Sequence, residues 1–536
     1  MKDQTQSLGT SVLIVGYGPV GATLGCLLGR LGTDVIIVDK STHMFMQPRA
    51  IALDQDALRV LQMAGLDEAA FARIAIPYVR MRSPIYGQFA QINTAGGIDT
   101  HPKLVTFSQP EMETALRQQL QAFPSVRVMT GLELVELTQA ADHVHCLVKG
   151  PDGVSRTIRS AFVVGADGAS SFVRKALKQD FEGSSYAEDW LIVDALDVPA
   201  PIDHVEFICD PKRPIPHMPA PGGRERWEFM LAPHEAPEAM QSDESLTALL
   251  NPWLGRISPQ IERRAVYRFH ARCCKQMVVD RVALAGDAAH ITPPFVGQGL
   301  VSGLRDVANL AWKLDAIVLG HASQAILQSY DTERRPHAKA MIVLARVMGA
   351  LVMPRSRLRA LVIHGAMRLL RLTGPSRRFF EDLGVKPSSR FKRGLFSRGR
   401  SIARFRRGAP FPQVWVRGKD GALLRSDDAL GQRFALIGFG VDPSACLSPQ
   451  ALAQWRAQGN ACVTFCHLSQ RLGGEHCYED IASDLIPATA PIGWVAVVRP
   501  DKVVMCDGRH EQVTELLASV QRLLHTPSCA TDLKAF

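Results

Sequence analysis

The sequence predicts an α/β protein, and three observations predict it. The N-terminal stretch "SVLIVGYGPVGATLGCLLGRLGTDVIIVDK" reads strand, glycine-rich turn, helix, strand. A second strand–loop–helix passage, "VALAGDAAHITPPFVGQGLVSGLRDVANLAWKL", comes much later, with strand-like, Pro/Gly-punctuated segments between. Past an Arg-, Ser- and Gly-rich stretch, "RFALIGFG", "ACVTFCHL" and "GWVAVVRPDKVVMC" read as buried strands among helical segments.

In the first unit, Val12–Val15 and Val35–Val38 are continuous apolar runs, and Leu24, Leu27, Leu28 and Leu31 fall at helical spacing. "QPEMETALRQQLQAF" reads as a helix with Pro110 near its start. "VRVMTGLELVELTQAADHVHCLVKGPDGVSRTIRSAFVVGADG" alternates like several strands with a "PDG" turn. The domains expected are residues 1–184, a first dinucleotide-binding part; 185–275, a sheet-rich substrate domain; and 276–384, the second part with a helical region. Residues 385–412 are expected as a linker and 413–536 as a third domain.

Gly16, Gly18 and Gly21 form Gly-x-Gly-x-x-Gly after a strand and at a helix start, with Asp39 ending the next strand. Gly16 then makes the tight turn, Gly18 lets a pyrophosphate approach the backbone, and Gly21 lets helix and strand pack closely. The helix N-terminus carries about half a positive charge for the phosphates. Asp39 would accept hydrogen bonds from a ribose. This Rossmann-like fingerprint does not separate FAD from NAD. In "VVGADGASSFVRKAL", Asp167-Gly168 fits either a ligand contact or an ordinary turn with a helix cap. In the later passage Asp287 ends a strand, where a carboxylate can bond sugar-like hydroxyls. Pro293-Pro294 offers a stiff, donor-free apolar surface, and Gly297, Gln298 and Gly299 keep the approach to the next helix open. That helix aims free N–H groups back at the loop, which suits a flat ring that becomes anionic on reduction.

With these motifs in this order, the chain resembles the FAD-dependent aromatic hydroxylases of the para-hydroxybenzoate hydroxylase type, the group A flavoprotein monooxygenases. The resemblance covers nearly the whole chain. "QPRAIALDQDALRVLQMAGL", "CDPKRPIPHMPAPGGRERWEFML", "YRFHARCCKQMVVDRVALAGDAAH" and "YDTERRPHA" draw it toward the 3-(3-hydroxyphenyl)propionate hydroxylase branch. The resemblance implies a Rossmann-like FAD-binding domain, a sheet-rich substrate domain and a C-terminal thioredoxin-like α/β domain. It implies that Gly16, Gly18, Gly21 and Asp39 hold the adenosine diphosphate part of FAD. The family usually has Glu at the Asp39 position.

The resemblance further places Arg49, Gln109, Asp167, Asp287, Pro293, Gly297, Gln298, Gly299 and Leu300 at the cofactor. A surface ion pair for Arg49 and a helix cap for Gln109 are the plainer alternatives. Pro293, Pro294 and Gly297 would form the loop seating the ring, and no single catalytic base is assigned. His217, Trp227, Phe229 and Phe295 are candidates for the substrate wall, with Met230 beside them; His270 and Arg272 either orient an acidic substrate or pack under the flavin.

The implied chemistry starts with NADH or NADPH as transient reductant, and only one dinucleotide fingerprint is present. O2 then forms a flavin C4a-hydroperoxide that hydroxylates a phenolic aromatic substrate, such as a 3-(3-hydroxyphenyl)propionate-like acid. Two alternatives keep the fold: the same chemistry on a quinolone or polycyclic metabolite, and a flavin reductase or dehydrogenase without oxygen activation.

Composition bounds the rest. No apolar run reaches the ~18–20 residues of a membrane span. The start "MKDQTQSLGT" is polar, so a cytoplasmic protein without stable membrane association is expected. Eleven cysteines lack a CxxC pair, and the histidines are dispersed without zinc-type spacing, so reduced thiols and no metal are expected. Residues 355–407 hold sixteen Lys/Arg against two Asp/Glu. This is read as a solvated face and linker rather than a nucleic-acid site. "LVIHGAMRLLRL" is amphipathic and basic, which favours subunit packing, so a homodimer is a possible partner state.

Overall fold

The computed structural model describes residues 7–46, 49–255, 260–372, 374, 386–399, 401–467, 470 and 476–525. The end of the helical region expected to reach 384 lies outside these. The first sheet has a parallel core of five strands: Val126–Thr130, Val35–Asp39, Ser7–Val15, Ser155–Gly165 and Val282–Leu284. Buried on both faces, the central strands read as continuous Val/Ile/Leu runs, as parallel strands do. Helix Pro19–Leu31 covers one face. Gly25 and Gly29 lie so close to Ile37 and Phe123 that an added Cβ would collide with them.

The second sheet is the roof. Its order is His290–Ile291, Gln260–Cys274, Phe181–Leu196, Arg224–Met230, Ile215–Ala220, Val205–Ile208, Tyr78–Ser83, Gly87–Asn93. It reaches beyond the expected 185–275, because Val205–Ile208 pairs in parallel with Tyr78–Ser83 from the first segment. Two apolar clusters cover its two faces, one around Trp190 and Phe295, the other around Trp227 and helix Asp243–Leu254.

The third sheet, with central strands Ala435–Phe439, Ala461–His467 and Trp494–Val498, carries the thioredoxin-like domain. It packs on helix Gly299–Val318, which is buried from Val301 to Ala316. Trp312 of this helix meets Phe434 edge to face, with ring centroids 5.4 Å apart. A helix buried all round needs its polar residues paired. Lys313 donates to Glu333 Oε2 (2.9 Å), and Arg499 of the third domain donates to both Glu333 oxygens.

The stretch expected as a linker makes contacts to both bodies. Lys386 Nζ donates to Asp54 Oδ2 (2.8 Å), Leu395 N donates to Glu333 Oε1 (2.8 Å), and Arg407 pairs with Asp507. Part of the basic stretch is therefore neutralised by acids of the domains it crosses. No single helix among the described residues is long and apolar enough to cross a membrane. Among the same residues, no group of three or more His, Cys, Asp or Glu could hold a metal ion.

Candidate active site

The three motifs meet at the carboxyl ends of adjacent parallel strands. Val15 stands opposite Val38 on one side and Gly165 on the other, and Gly165 stands opposite Leu284. The residues at or just past the end of each strand, Gly16, Asp39, Asp167 and Asp287, therefore lie along one crevice, the place where open α/β sheets bind ligands.

Gly16 has φ +108°, and a Cβ there would collide with the Ala166 carbonyl. At Gly21 it would collide with the Gly16 carbonyl. Gly18 is different: nothing lies within 4 Å of where its Cβ would be. It is also the N-cap of Pro19–Leu31, a helix with no side-chain cap. Open space before uncapped amides is what a pyrophosphate requires. Asp39 accepts from Tyr17 N (2.6 Å) and Ser41 N (2.7 Å), which fixes its carboxylate while leaving lone pairs toward the crevice.

Asp167 braces the start of helix Phe172–Ala176, whose N-cap is Ser171: its oxygens accept from Ser171 Oγ (2.6 Å) and Val173 N (3.1 Å). Arg174, on the short helix so capped, donates to Ala169 O (2.8 Å) and Ala288 O (3.0 Å), tying this loop to the Asp287 loop. Gln109 accepts from Arg49 N (3.0 Å) and Ala50 N (2.7 Å) and donates to Glu113 (2.7 Å). It therefore sets the path of the Arg49 backbone. The Arg49 guanidinium lies over the Phe45 ring at 4.9 Å.

Asp287 sits in the single turn Gly286–Ala288. Its carboxylate makes no hydrogen bond among the described residues, and burial raises its pKa, opposed by His290 and Arg49. Behind it, Asp306 accepts from Gly286 N (3.1 Å), His290 Nε2 (2.6 Å) and Arg334 Nε (2.9 Å). Gly303 lets the long helix approach both Val20 and Gly286. Pro293 leads into the turn Pro294–Val296, Gly297 closes it at φ +63°, and helix Gly299–Val318 starts without a side-chain cap. Gln298 turns its side chain away, donating to Asp54 (3.0 Å) and accepting from Arg305 (2.8 Å), so only its backbone faces the loop. Leu300 packs half-buried on the core.

The substrate-wall candidates divide. Phe295 lies 5.8 Å from both Trp190 and Phe269 and 5.9 Å from Tyr186, ring centroid to centroid. His217, Trp227 and Phe229 lie on the opposite face of the roof. His217 stacks on Trp227 (4.6 Å) and bonds Glu225 (2.6 Å), while Trp227 and Phe229 pack with Leu246 and Leu250. Strand alternation causes this. In Arg224–Met230, residues 225, 227 and 229 face that helix, whereas Arg226 reaches Arg49 O (3.2 Å) and Met230 joins the Phe295 cluster. The period-2 pattern of "RERWEFM" carried the signal. His270 and Arg272 share the Ser185 hydroxyl, at 2.8 and 2.7 Å.

Space before Gly18, two helix N-termini without side-chain caps and an Asp287 carboxylate unbonded among the described residues fit FAD stretched from the Gly-rich turn to the Pro293 loop. Fold and site thus define an FAD-binding flavoprotein with an apolar roof over its ring site. Comparison with known proteins agrees. A family model for an FAD binding domain matches residues 9–345, and one for the HcaD C-terminal domain matches 408–523. The 3-(3-hydroxy-phenyl)propionate/3-hydroxycinnamic acid hydroxylase of Burkholderia cenocepacia (strain HI2424) is 37% identical over 510 residues, 92% of this chain and 93% of the relative. The flavin-dependent monooxygenase PieE, solved with FAD and substrate, superposes with a TM-score of 0.80 at 21% identity, covering 96% of this chain and 99% of PieE. Aklavinone-11 hydroxylase, solved with FAD and aklavinone, gives 0.75 at 21% identity over 96% and 99%. The chain belongs to this FAD-binding family, as a group A aromatic hydroxylase on the 3-(3-hydroxyphenyl)propionate hydroxylase branch.

Proposed function

We propose that the protein is an NAD(P)H- and O2-consuming monooxygenase that hydroxylates the phenolic ring of a 3-(3-hydroxyphenyl)propionate-like acid. The observation that carries this reading is the match to such a hydroxylase along 92% of the chain. The roof supports it. Trp190, Phe269 and Phe295 form a buried apolar surface beside the proposed ring-seating loop, and excluding water would protect an activated oxygen species from release as H2O2.

Bound FAD would take a hydride from the nicotinamide and pass one oxygen atom of O2 to the ring. Gly16, Gly18, Gly21 and Asp39 would hold its adenosine diphosphate part. Asp287 would bond its ribityl chain, and the amides from Gly297 to Leu300 would face its ring. The first-turn amides of the Gly299 helix would stabilise negative charge on that ring. With one dinucleotide fingerprint in the chain, NADH or NADPH would visit transiently.

The test is purification with FAD, then NADH or NADPH oxidation and O2 uptake with 3-(3-hydroxyphenyl)propionate, and product mass. One O2 consumed and a 16 Da gain per nicotinamide supports the reading. Nicotinamide oxidation without ring oxygenation of any substituted phenol would show a reductase instead.

A further inference from the structure

The inner face of the roof has rows set by strand register. Met218, Arg226, Asp194 and Arg263 form one row, and Met230, Trp190 and Tyr267 form another. Between them lie Glu228, Ile192 and Ala265. Arg226 grips Asp194 with two hydrogen bonds (2.6 and 2.9 Å), Arg263 approaches the same carboxylate at 3.5 Å, and Arg263 Nη2 donates to Tyr267 OH (2.8 Å). These groups answer one another. Glu228 stands among them only 6% exposed and makes no hydrogen bond among the described residues. It shares a face with Arg226, which reaches the Arg49 carbonyl, and with Met230, which packs in the Phe295 cluster. A buried carboxyl without a partner, central in the roof, costs stability unless a ligand completes it.

We propose that Glu228 is a catalytic residue of this site, accepting the phenolic proton of the ring to be hydroxylated. This rests on the function proposed above. The O–H bond breaks, its electron pair stays on the ring oxygen, and the proton ends on a Glu228 carboxylate oxygen. The resulting phenolate ring is richer in electrons for attack on an electrophilic oxygen. Burial raises the Glu228 pKa, with Arg226 and Arg263 opposing and Asp194 assisting. A raised value narrows the gap to a phenol near ~10 and so eases the transfer.

Glu228→Gln, loaded with FAD, tests this with 3-(3-hydroxyphenyl)propionate. The expected result is a flavin spectrum and substrate Kd within about threefold of wild type, with kcat at pH 7 down ~10²-fold. Its rate should recover only as pH rises toward the phenol's own pKa. Wild-type kcat with an unchanged pH profile overturns the proposal. If the variant does not hold FAD, the ultraviolet difference spectrum of substrate bound to wild type decides. Phenolate absorbance well below pH ~10 supports the proposal, and a phenol that stays neutral up to that pH overturns it. Wild-type enzyme that oxygenates no phenol defeats the function itself, a separate outcome read from product mass.

Discussion

His290 Nε2 lies 2.6 Å from Asp306 Oδ2, and both side chains are fully excluded from solvent. Asp306 also receives Gly286 N and Arg334 Nε, so one carboxylate gathers a loop amide, a loop histidine and an arginine from the next helix. The loop it anchors presents Asp287. Removing the charge leaves Arg334 and His290 buried without compensation, a loss of about 3–5 kcal/mol. Asp306→Asn should lower Tm in calorimetry and purify with less than one FAD per chain.

The same pair sets a pH dependence. Burial lowers the pKa of His290, but Asp306 outweighs it and the net shift is upward from 6.5. A raised histidine pKa contributes stability that is complete below 6.5 and is lost as pH rises through the folded value. Wild-type Tm should therefore decline above neutral pH more steeply than that of His290→Gln, measured by thermal melts from pH 6 to 9.

Gly18 and Gly21 should separate cofactor binding from folding. Gly18→Ala meets no protein atom within 4 Å, so the melt of the FAD-free protein should match wild type. Its methyl group enters the space proposed for the pyrophosphate, and FAD affinity should fall at least about tenfold, as loss of one charge-assisted hydrogen bond would cause. Gly21→Ala drives a methyl into the Gly16 carbonyl and should lower Tm with or without FAD. Equal Tm losses in both variants would contradict this assignment.

Asp287→Asn keeps shape and removes an acceptor charge that no described protein group bonds. Hydrogen bonds to charged groups contribute about 1.5–3 kcal/mol, so FAD affinity should fall ~10–100-fold while the protein without FAD stays folded. Fluorescence titration with FAD and a far-ultraviolet dichroism spectrum read the two quantities independently.

The crevice was legible because each of its parts is local. A glycine that must turn, a helix that must start and an acid at a strand end leave marks within a few residues. The roof was less legible, since only strand pairing decides which of Trp227 and Glu228 shares the face of the Phe295 cluster. His217 and Trp227 are aromatic and buried, as a substrate wall would be, yet they serve the core against helix Asp243–Leu254. "YDTERRPHA" stood out in the sequence, but its roles depend on distant partners. Tyr330 OH bonds Leu284 O (2.8 Å), Glu333 meets Arg499, and Arg334 meets Asp306. Lys386 looked like linker composition because its acid, Asp54, lies more than three hundred positions earlier.

Glu333 joins helix Gly299–Val318 to the third domain. Lys313 and the two terminal nitrogens of Arg499 converge on it, all fully buried. Burial pulls the Lys313 pKa down to about 8 even with Glu333 beside it, and loss of the carboxylate would leave Lys313 with only Asn309 Oδ1 and Arg499 with only Asp501 to answer its charge. Burial alone would raise the Glu333 pKa, but Arg499 and Lys313 outweigh it and hold the carboxyl well below 4.5. A depressed carboxyl pKa contributes stability present above 4.5 and lost as pH falls through the folded value. Glu333→Gln should therefore cost about 3–5 kcal/mol at neutral pH and flatten the decline of Tm below pH 4.5. Because Trp312 and Lys313 lie on the helix that begins at the Pro293 loop, proposed above to seat the ring, the variant should also bind FAD more weakly. Unchanged FAD affinity with a lowered Tm would confine the clamp to holding the domains together.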